Sequence, residues 1–134
     1  MADHDKKFRC PCCDRNEIDP RVEALHREIE EDIGQKLIVT SGFRCPKHNK
    51  EVGGSATSSH LKGLAWDVAV DNSRLRYRVI QSALTRGITR IGVGQSVLEA
   101  LGHNVRGITR IGVGKGFLHL DIDRAKDQRV IWLY

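Results

Sequence analysis

An imidazole and a carboxylate stand seven positions apart in the glycine-punctuated, otherwise apolar stretch Ser58-Ser59-His60-Leu61-Lys62-Gly63-Leu64-Ala65-Trp66-Asp67. Neutral imidazole nitrogen and carboxylate oxygen are ligand types that, joined by a third protein ligand, leave zinc one open position for water, the arrangement of hydrolytic zinc sites. The best candidate for the third ligand lies in Gly116-Phe117-Leu118-His119-Leu120-Asp121-Ile122-Asp123, where strict alternation of apolar and polar residues reads as a half-buried strand. Period two puts His119, Asp121 and Asp123 on one face. A second set of metal-type donors is cysteine-rich. Cys10-x-x-Cys13 and Cys45-x-x-His48 together supply the sulfur and nitrogen ligands of a closed tetrahedral structural zinc site, with Cys12 the fourth cysteine of the chain. The alternative is ordinary buried thiols, with His48 belonging to a substrate loop.

These residues need elements to hold them. Asp19-Pro20 starts a helix, with Asp as N-cap and Pro at the first helical position. Val22, Leu25, Ile29 and Ile33 recur at three- and four-residue spacing up to Gly34, which makes the helix amphipathic. His26 falls one position from this stripe and reads as a boundary residue, and Glu28, Glu30, Glu31 and Asp32 read as a solvated face. Residues 36–40 are short and β-branched, a strand that delivers Ser41-Gly42-Phe43-Arg44 toward the histidine motif. Gly53 and Gly54 with the following hydroxyl residues form a flexible loop closing over that motif. Residues 66–70 read as a central strand carrying Asp67 inward. Asp71-Asn72-Ser73 caps a second helix whose apolar stripe is Leu75, Val79, Ile80, Ala83 and Leu84 and which ends near Arg86-Gly87.

Residues 86–94, Arg-Gly-Ile-Thr-Arg-Ile-Gly-Val-Gly, recur without change at 106–114, and Gln81-Ser82 before the first copy is echoed by Gln95-Ser96 before the second. The duplicated unit is a helix end plus a strand, too short for a solenoid. Only the second copy is joined to the histidine strand by the short link Gly114-Lys115-Gly116, so the second copy is expected beside that strand, with the first displaced or forming an extra edge strand. Residues 95–101 would then form a short helix with Val97, Leu98 and Leu101 as its apolar face. Two identical strands competing for one sheet position also permit a strand-exchanged oligomer.

A chain of 134 residues is one domain by length, and 40% hydrophobic with 29% charged residues is ordinary globular composition. No apolar run reaches membrane-span length, and the charged start without a following apolar core is not a secretory signal. The expected product is therefore soluble and cytoplasmic as synthesised, and disulfides are disfavoured. A net charge of +5 favours anionic partners. The basic residues are dispersed, densest at Arg74, Arg76 and Arg78, with few aromatics between them, so no nucleic-acid groove is indicated.

The string Ser58-x-His60-x-x-Gly63-x-Ala65-x-Asp67 resembles the signature of the zinc D-Ala-D-Ala carboxypeptidases and their endopeptidase relatives, the VanY-like LAS metallopeptidases. Ser41-Gly42-Phe43-Arg44, the run from Asn49 through Gly54, the His119 motif and Ile131-Trp132-Leu133-Tyr134 resemble the same family in the same order. The resemblance implies a single α+β domain with a central, mostly antiparallel sheet flanked by helices. It also implies zinc on His60, Asp67 and His119, with metal-activated water attacking a D-Ala-D-Ala or stem-peptide bond of peptidoglycan. Arg44 would hold substrate or oxyanion beside the metal, with Ser58 a second substrate contact. Several branches place an acid or histidine three residues before the last ligand, where this chain has Gly116, so Asp121 is the nearest general base in sequence, or else a carboxylate that orients a ligand imidazole. A small basic chain of this kind fits a phage lysis enzyme let through the membrane by a holin; a wall-remodelling dipeptidase is the other setting. The main alternative in function is a non-catalytic, zinc-stabilised binding module of the same fold.

Overall fold

A computed structural model describes residues 7–94 and 116–134. Among the described residues the elements follow one another as α1 (Pro20–Ile33), β1 (Val39–Ser41), α2 (Pro46–Glu51), a 3-10 turn (Ser59–Lys62), β2 (Ala65–Val70), α3 (Ser73–Thr85), β3 (Arg90–Gly94), β4 (Gly116–Asp121) and β5 (Val130–Leu133). Asp19 caps α1 by accepting the Arg21 N–H at 2.8 Å, Pro20 opens the helix, and Gly34 closes it in the left-handed region at φ 74°. Val22, Ile29 and Ile33 are buried as the stripe requires.

Two polar residues of α1 depart from the amphipathic expectation. His26 is 1% exposed rather than a boundary residue. Its Nδ1 accepts the Trp66 indole N–H at 3.3 Å and its ring meets Phe8 edge-on at 5.5 Å. Burial pushes the imidazole down to about 4, so it is neutral and keeps that acceptor. Glu30 is buried rather than solvated, because its carboxylate takes the Leu37 N–H (2.8 Å) as the chain turns from α1 toward the sheet. In α3, capped by Asn72 on the Leu75 N–H, Leu84 is 46% exposed, and Ser82 faces inward instead, donating to Asp32 of α1 at 2.6 Å. The expected strand at 36–40 is shorter and later, with Leu37 buried and Ile38 exposed before it.

The strands form one sheet in the order β1-β2-β4-β3-β5, antiparallel except for the parallel β3–β5 pair. This is the α+β fold with a mostly antiparallel sheet that the sequence implied. Alternation sorts the two faces. Trp66, Val68, Val70, Ile91, Leu118 and Leu120 point into one core with α1 and α3. The other face carries one continuous rung: Ser41 opposite Asp67, Asp67 opposite His119, His119 opposite Gly92, and Gly92 opposite Trp132. An irregularity between Val39 and Ser41 brings Ser41 into line.

The strand beside the histidine strand is the first copy of the duplicated unit, not the second. Arg90–Gly94 pairs with β4 along its whole length. Link length on the C-terminal side misled the expectation because the first copy is equally well tied on its N-terminal side. Gly87 turns at φ 86°, the Ile88 N–H returns to the Ala83 carbonyl at 2.9 Å, and Ile88 is buried, so α3 feeds β3 directly. The second copy, the helix expected at 95–101 and any strand exchange lie outside the described residues. Because Gly94 already pairs with Phe117, deleting 95–114 leaves Lys115-Gly116 as a two-residue hairpin between paired positions. The shortened chain is expected to fold and bind metal like the parent, checked by thermal melting and zinc content. An insoluble or metal-free product would give the removed segment a structural task of its own.

Candidate metal centre

Each ligand of the expected centre is delivered by a different local device. Ser58 caps the 3-10 turn by accepting the His60 N–H at 3.2 Å. The His60 ring lies with Nδ1 2.8 Å from the Gly42 carbonyl, so Nδ1–H donates there and the bare Nε2 faces Asp67 Oδ1 at 3.2 Å. Asp67 and His119 face each other across the β2–β4 ladder, with Nδ1 3.0 Å from Asp67 Oδ1. The opposite ring nitrogen, Nε2, is 2.8 Å from Asp121 Oδ2, which holds its proton on the side away from Asp67. The three donor atoms lie within 4.8 Å of one another, and His60, Asp67 and His119 are 2%, 7% and 6% exposed.

That donor set fits a divalent metal ion such as zinc. Two imidazole nitrogens and one carboxylate oxygen converge, and each ligand has its own backing group: Gly42 O for His60, Asp121 for His119, and the Arg44 guanidinium 3.6 Å from Asp67 Oδ2. Burial opposes ionisation of Asp67, yet His119 and His60 hold its carboxyl well below the usual range. Burial also pushes the His119 imidazole down, but Asp121 and Asp67 outweigh it and its pKa is raised.

Above the ligands is an open cleft of about 400 Å³, lined by Arg44, Ser58, Arg90, Lys126, Trp132 and Tyr134 among others. Arg44 is fixed on three sides, donating to Ser41 Oγ (3.0 Å) and Asn49 Oδ1 (3.2 Å) and pairing with Asp67. Sequence reasoning assigned no site role to Gly92, Arg90, Trp132 or Tyr134. A Cβ at Gly92 would come within 2.6 Å of the Tyr134 ring and 2.7 Å of the Trp132 ring. The bare glycine therefore lets both rings lie over β3 toward His119, at centroid distances of 5.5 Å for Trp132 and 6.4 Å for Tyr134. Arg90 stacks its guanidinium over Trp132 at 5.0 Å and donates to Asp121 at 2.8 Å. The signal available was the alternation in Ile131-Trp132-Leu133-Tyr134, which puts both aromatics on one face, and the same period in Arg90-Ile91-Gly92.

Asp121 is 1% exposed, with His119 and Arg90 on its two oxygens. Asp123, beyond the strand end, accepts from Ser59 Oγ (2.8 Å) and Lys62 Nζ (2.9 Å), tying β4 to the turn that carries His60. Of the expected cysteine set, Cys10, Cys13 and Cys45 come together, but the fourth member is Cys12 and not His48. The His48 ring turns instead toward Glu51, 3.9 Å away, one helical turn along α2.

A small sheet and the 3-10 turn beside it bring two histidines and an aspartate together beneath an open cleft, a donor set of the kind that metal-dependent hydrolases use. A family model described as Peptidase M15 matches residues 5–98, and the chain belongs to that family of metal-dependent peptidases. The match includes His60 and Asp67 and stops short of β4, so His119 stands on the β2–β4 register. Comparison with curated proteins gives no match. Among the described residues no helix is long and apolar enough to cross a membrane.

Proposed function

We propose that this chain is a zinc-dependent peptidoglycan peptidase of VanY-like type that cuts a D-Ala-D-Ala or stem-peptide bond, with His60, Asp67 and His119 as the zinc ligands. The observation that carries this reading is the convergence of those three donors at the floor of an open cleft with a fixed arginine beside them. Zinc held by His60, Asp67 and His119 would supply a Lewis acid and would lower the pKa of a water molecule beside the substrate carbonyl. Arg44 offers a rigid cationic fork suited to a substrate carboxylate or to the oxygen that gains charge at the scissile carbonyl. Ser58, whose hydroxyl oxygen accepts the His60 N–H, can turn its own proton to a substrate carbonyl. Trp132 and Tyr134 wall one side of the cleft and give small apolar side chains a surface to lie on.

Asp121 is a positioning residue in this reading. Its oxygens are engaged by His119 Nε2 and Arg90 Nε, so it fixes the tautomer and tilt of the His119 ring. The proposed setting is phage lysis, in which the chain is made in the cytoplasm and reaches the wall through a holin, its +5 charge favouring the anionic wall. Incubation with defined muropeptides, with products read by mass, tests the reading. One peptide bond should be cut, cleavage should stop on chelation and return with added zinc. Zinc-loaded protein that binds muropeptides and leaves them whole would overturn the peptidase in favour of a binding module.

A further inference from the structure

Outside the peptidase centre, four thiols from two distant segments meet. Cys10 Sγ is 3.6 Å from both Cys12 Sγ and Cys45 Sγ, and Cys12 Sγ is 3.2 Å from Cys45 Sγ. With Cys13, all four sulfurs lie within 4.8 Å of one another, and all four are free thiols. Zinc in a tetrahedral four-cysteine site, with Zn–S near 2.3 Å, separates its sulfurs by about 3.8 Å. Four sulfurs mutually at such spacing form a cage, whereas a disulfide would single out one pair and leave two thiols over.

The surroundings suit thiolates. Cys10 Sγ receives the Cys45 N–H at 3.5 Å, and Cys45 Sγ receives the His48 N–H at 3.4 Å, the kind of outer hydrogen bond that steadies metal-bound sulfur. The Arg15 guanidinium lies 5.5 Å above the Phe43 ring, which packs with Cys10 and Cys45 in a separate small cluster, and so sets a cation beside them. The Cys10 carbonyl takes the Asp14 N–H (2.9 Å) and the Cys10 N–H goes to the Arg15 carbonyl (2.8 Å), folding residues 10–15 into a compact turn that brings Cys12 and Cys13 back over Cys10. None of the four cysteines lines the cleft. The set is all sulfur, which selects zinc over hard cations, and has no fourth-position opening for water.

We propose that Cys10, Cys12, Cys13 and Cys45 bind a second, structural zinc ion that clasps the 10–13 turn onto the segment carrying Gly42 and Arg44. Each thiol gives its proton to solvent as its sulfur binds the ion, and no redox change occurs. The clasp has a target. The Phe43 N–H bonds the Phe8 carbonyl at 2.8 Å, and a Cβ on Gly42 would stand 2.6 Å from Phe8 Cα, so the two segments already lie flush. Gly42 O orients His60, and Arg44 pairs with Asp67. A zinc ion at Cys45 therefore fixes the backbone from which two supports of the peptidase centre hang.

The test uses full-length protein purified under reducing conditions. Parent chain should carry two zinc ions by elemental analysis, and His119→Ala, which disables the peptidase centre alone, should keep one. In that variant cobalt(II) exchanged for zinc should give intense sulfur-to-cobalt charge-transfer absorption. Its four thiols should resist iodoacetamide until an organomercurial releases the metal. Cys12→Ser and Cys45→Ser should each lose this ion, and the cobalt spectrum of the chain with all four thiols decides the matter should either variant fail to fold. His119→Ala protein that holds no zinc and alkylates freely, or an intact mass two hydrogens low from a disulfide, overturns the proposal. Failure of the peptidase reading looks different: sulfur-bound zinc present in the parent, and no zinc that depends on His119.

Discussion

His119→Ala should remove one zinc ion per chain relative to the parent and lower kcat/KM on a cleavable stem peptide by at least about a thousandfold, ~4 kcal/mol of transition-state stabilisation. The size follows from how the ligand is held. His119 faces Asp67 in register across two central strands, and its far nitrogen is locked by Asp121, so no neighbouring imidazole can take its place. Its loss leaves His60 and Asp67, a two-ligand set that holds zinc far less tightly and fixes no geometry for water. His60→Ala should behave alike, since Gly42 O orients that ring alone. Asp67→Asn should also lose the ion while keeping the shape of the rung, because the amide is a weak ligand. Elemental analysis after removal of loosely held metal, set beside steady-state kinetics, checks all three. A His119→Ala protein that keeps the parent's full zinc content and still cuts would refute the assignment.

Arg44→Ala should leave that zinc in place and reduce kcat/KM by about a hundredfold to a thousandfold, ~3 to 4 kcal/mol, the scale for losing one preorganised donor at a developing oxyanion. Arg44→Lys should restore little. The guanidinium is shared among Ser41, Asn49 and Asp67, three directions that a single ammonium on a flexible stem cannot satisfy together. If the loss falls mainly on KM, Arg44 holds the ground-state substrate; if on kcat, it meets charge that appears in the transition state. Either variant within threefold of the parent would remove Arg44 from the chemistry.

Much of this site was legible because its signals are local. Asp19-Pro20 and Gly34 punctuate α1, and alternation through 117–122 marks the histidine strand. The spacing of Ser58, Gly63 and Asp67 around His60 places a capped turn against a strand. What escaped depends on partners remote in sequence. His26 and Glu30 look like surface residues until Trp66 and Leu37 supply their hydrogen bonds. Trp132 and Tyr134 reach His119 only because β5 runs parallel to β3 and Gly92 has no side chain, and nothing near residue 132 records either fact. Two identical segments cannot be told apart by composition, and the joint between α3 and β3 set the first copy in its place. His48 was favoured over Cys12 by spacing, whereas the turn at 10–15 settles which side chains meet.

The strand order carries a kinetic consequence. β2 and β3 lie on either side of α3 in the chain, yet β4, made after both, sits between them in the sheet. They cannot zip directly to each other, and the sheet closes only when the later strand enters its centre, a non-local and therefore slow step. Asp67 meets His119 in that same step. A nascent or half-folded chain thus lacks the assembled group of His60, Asp67 and His119, which comes together only with the finished sheet.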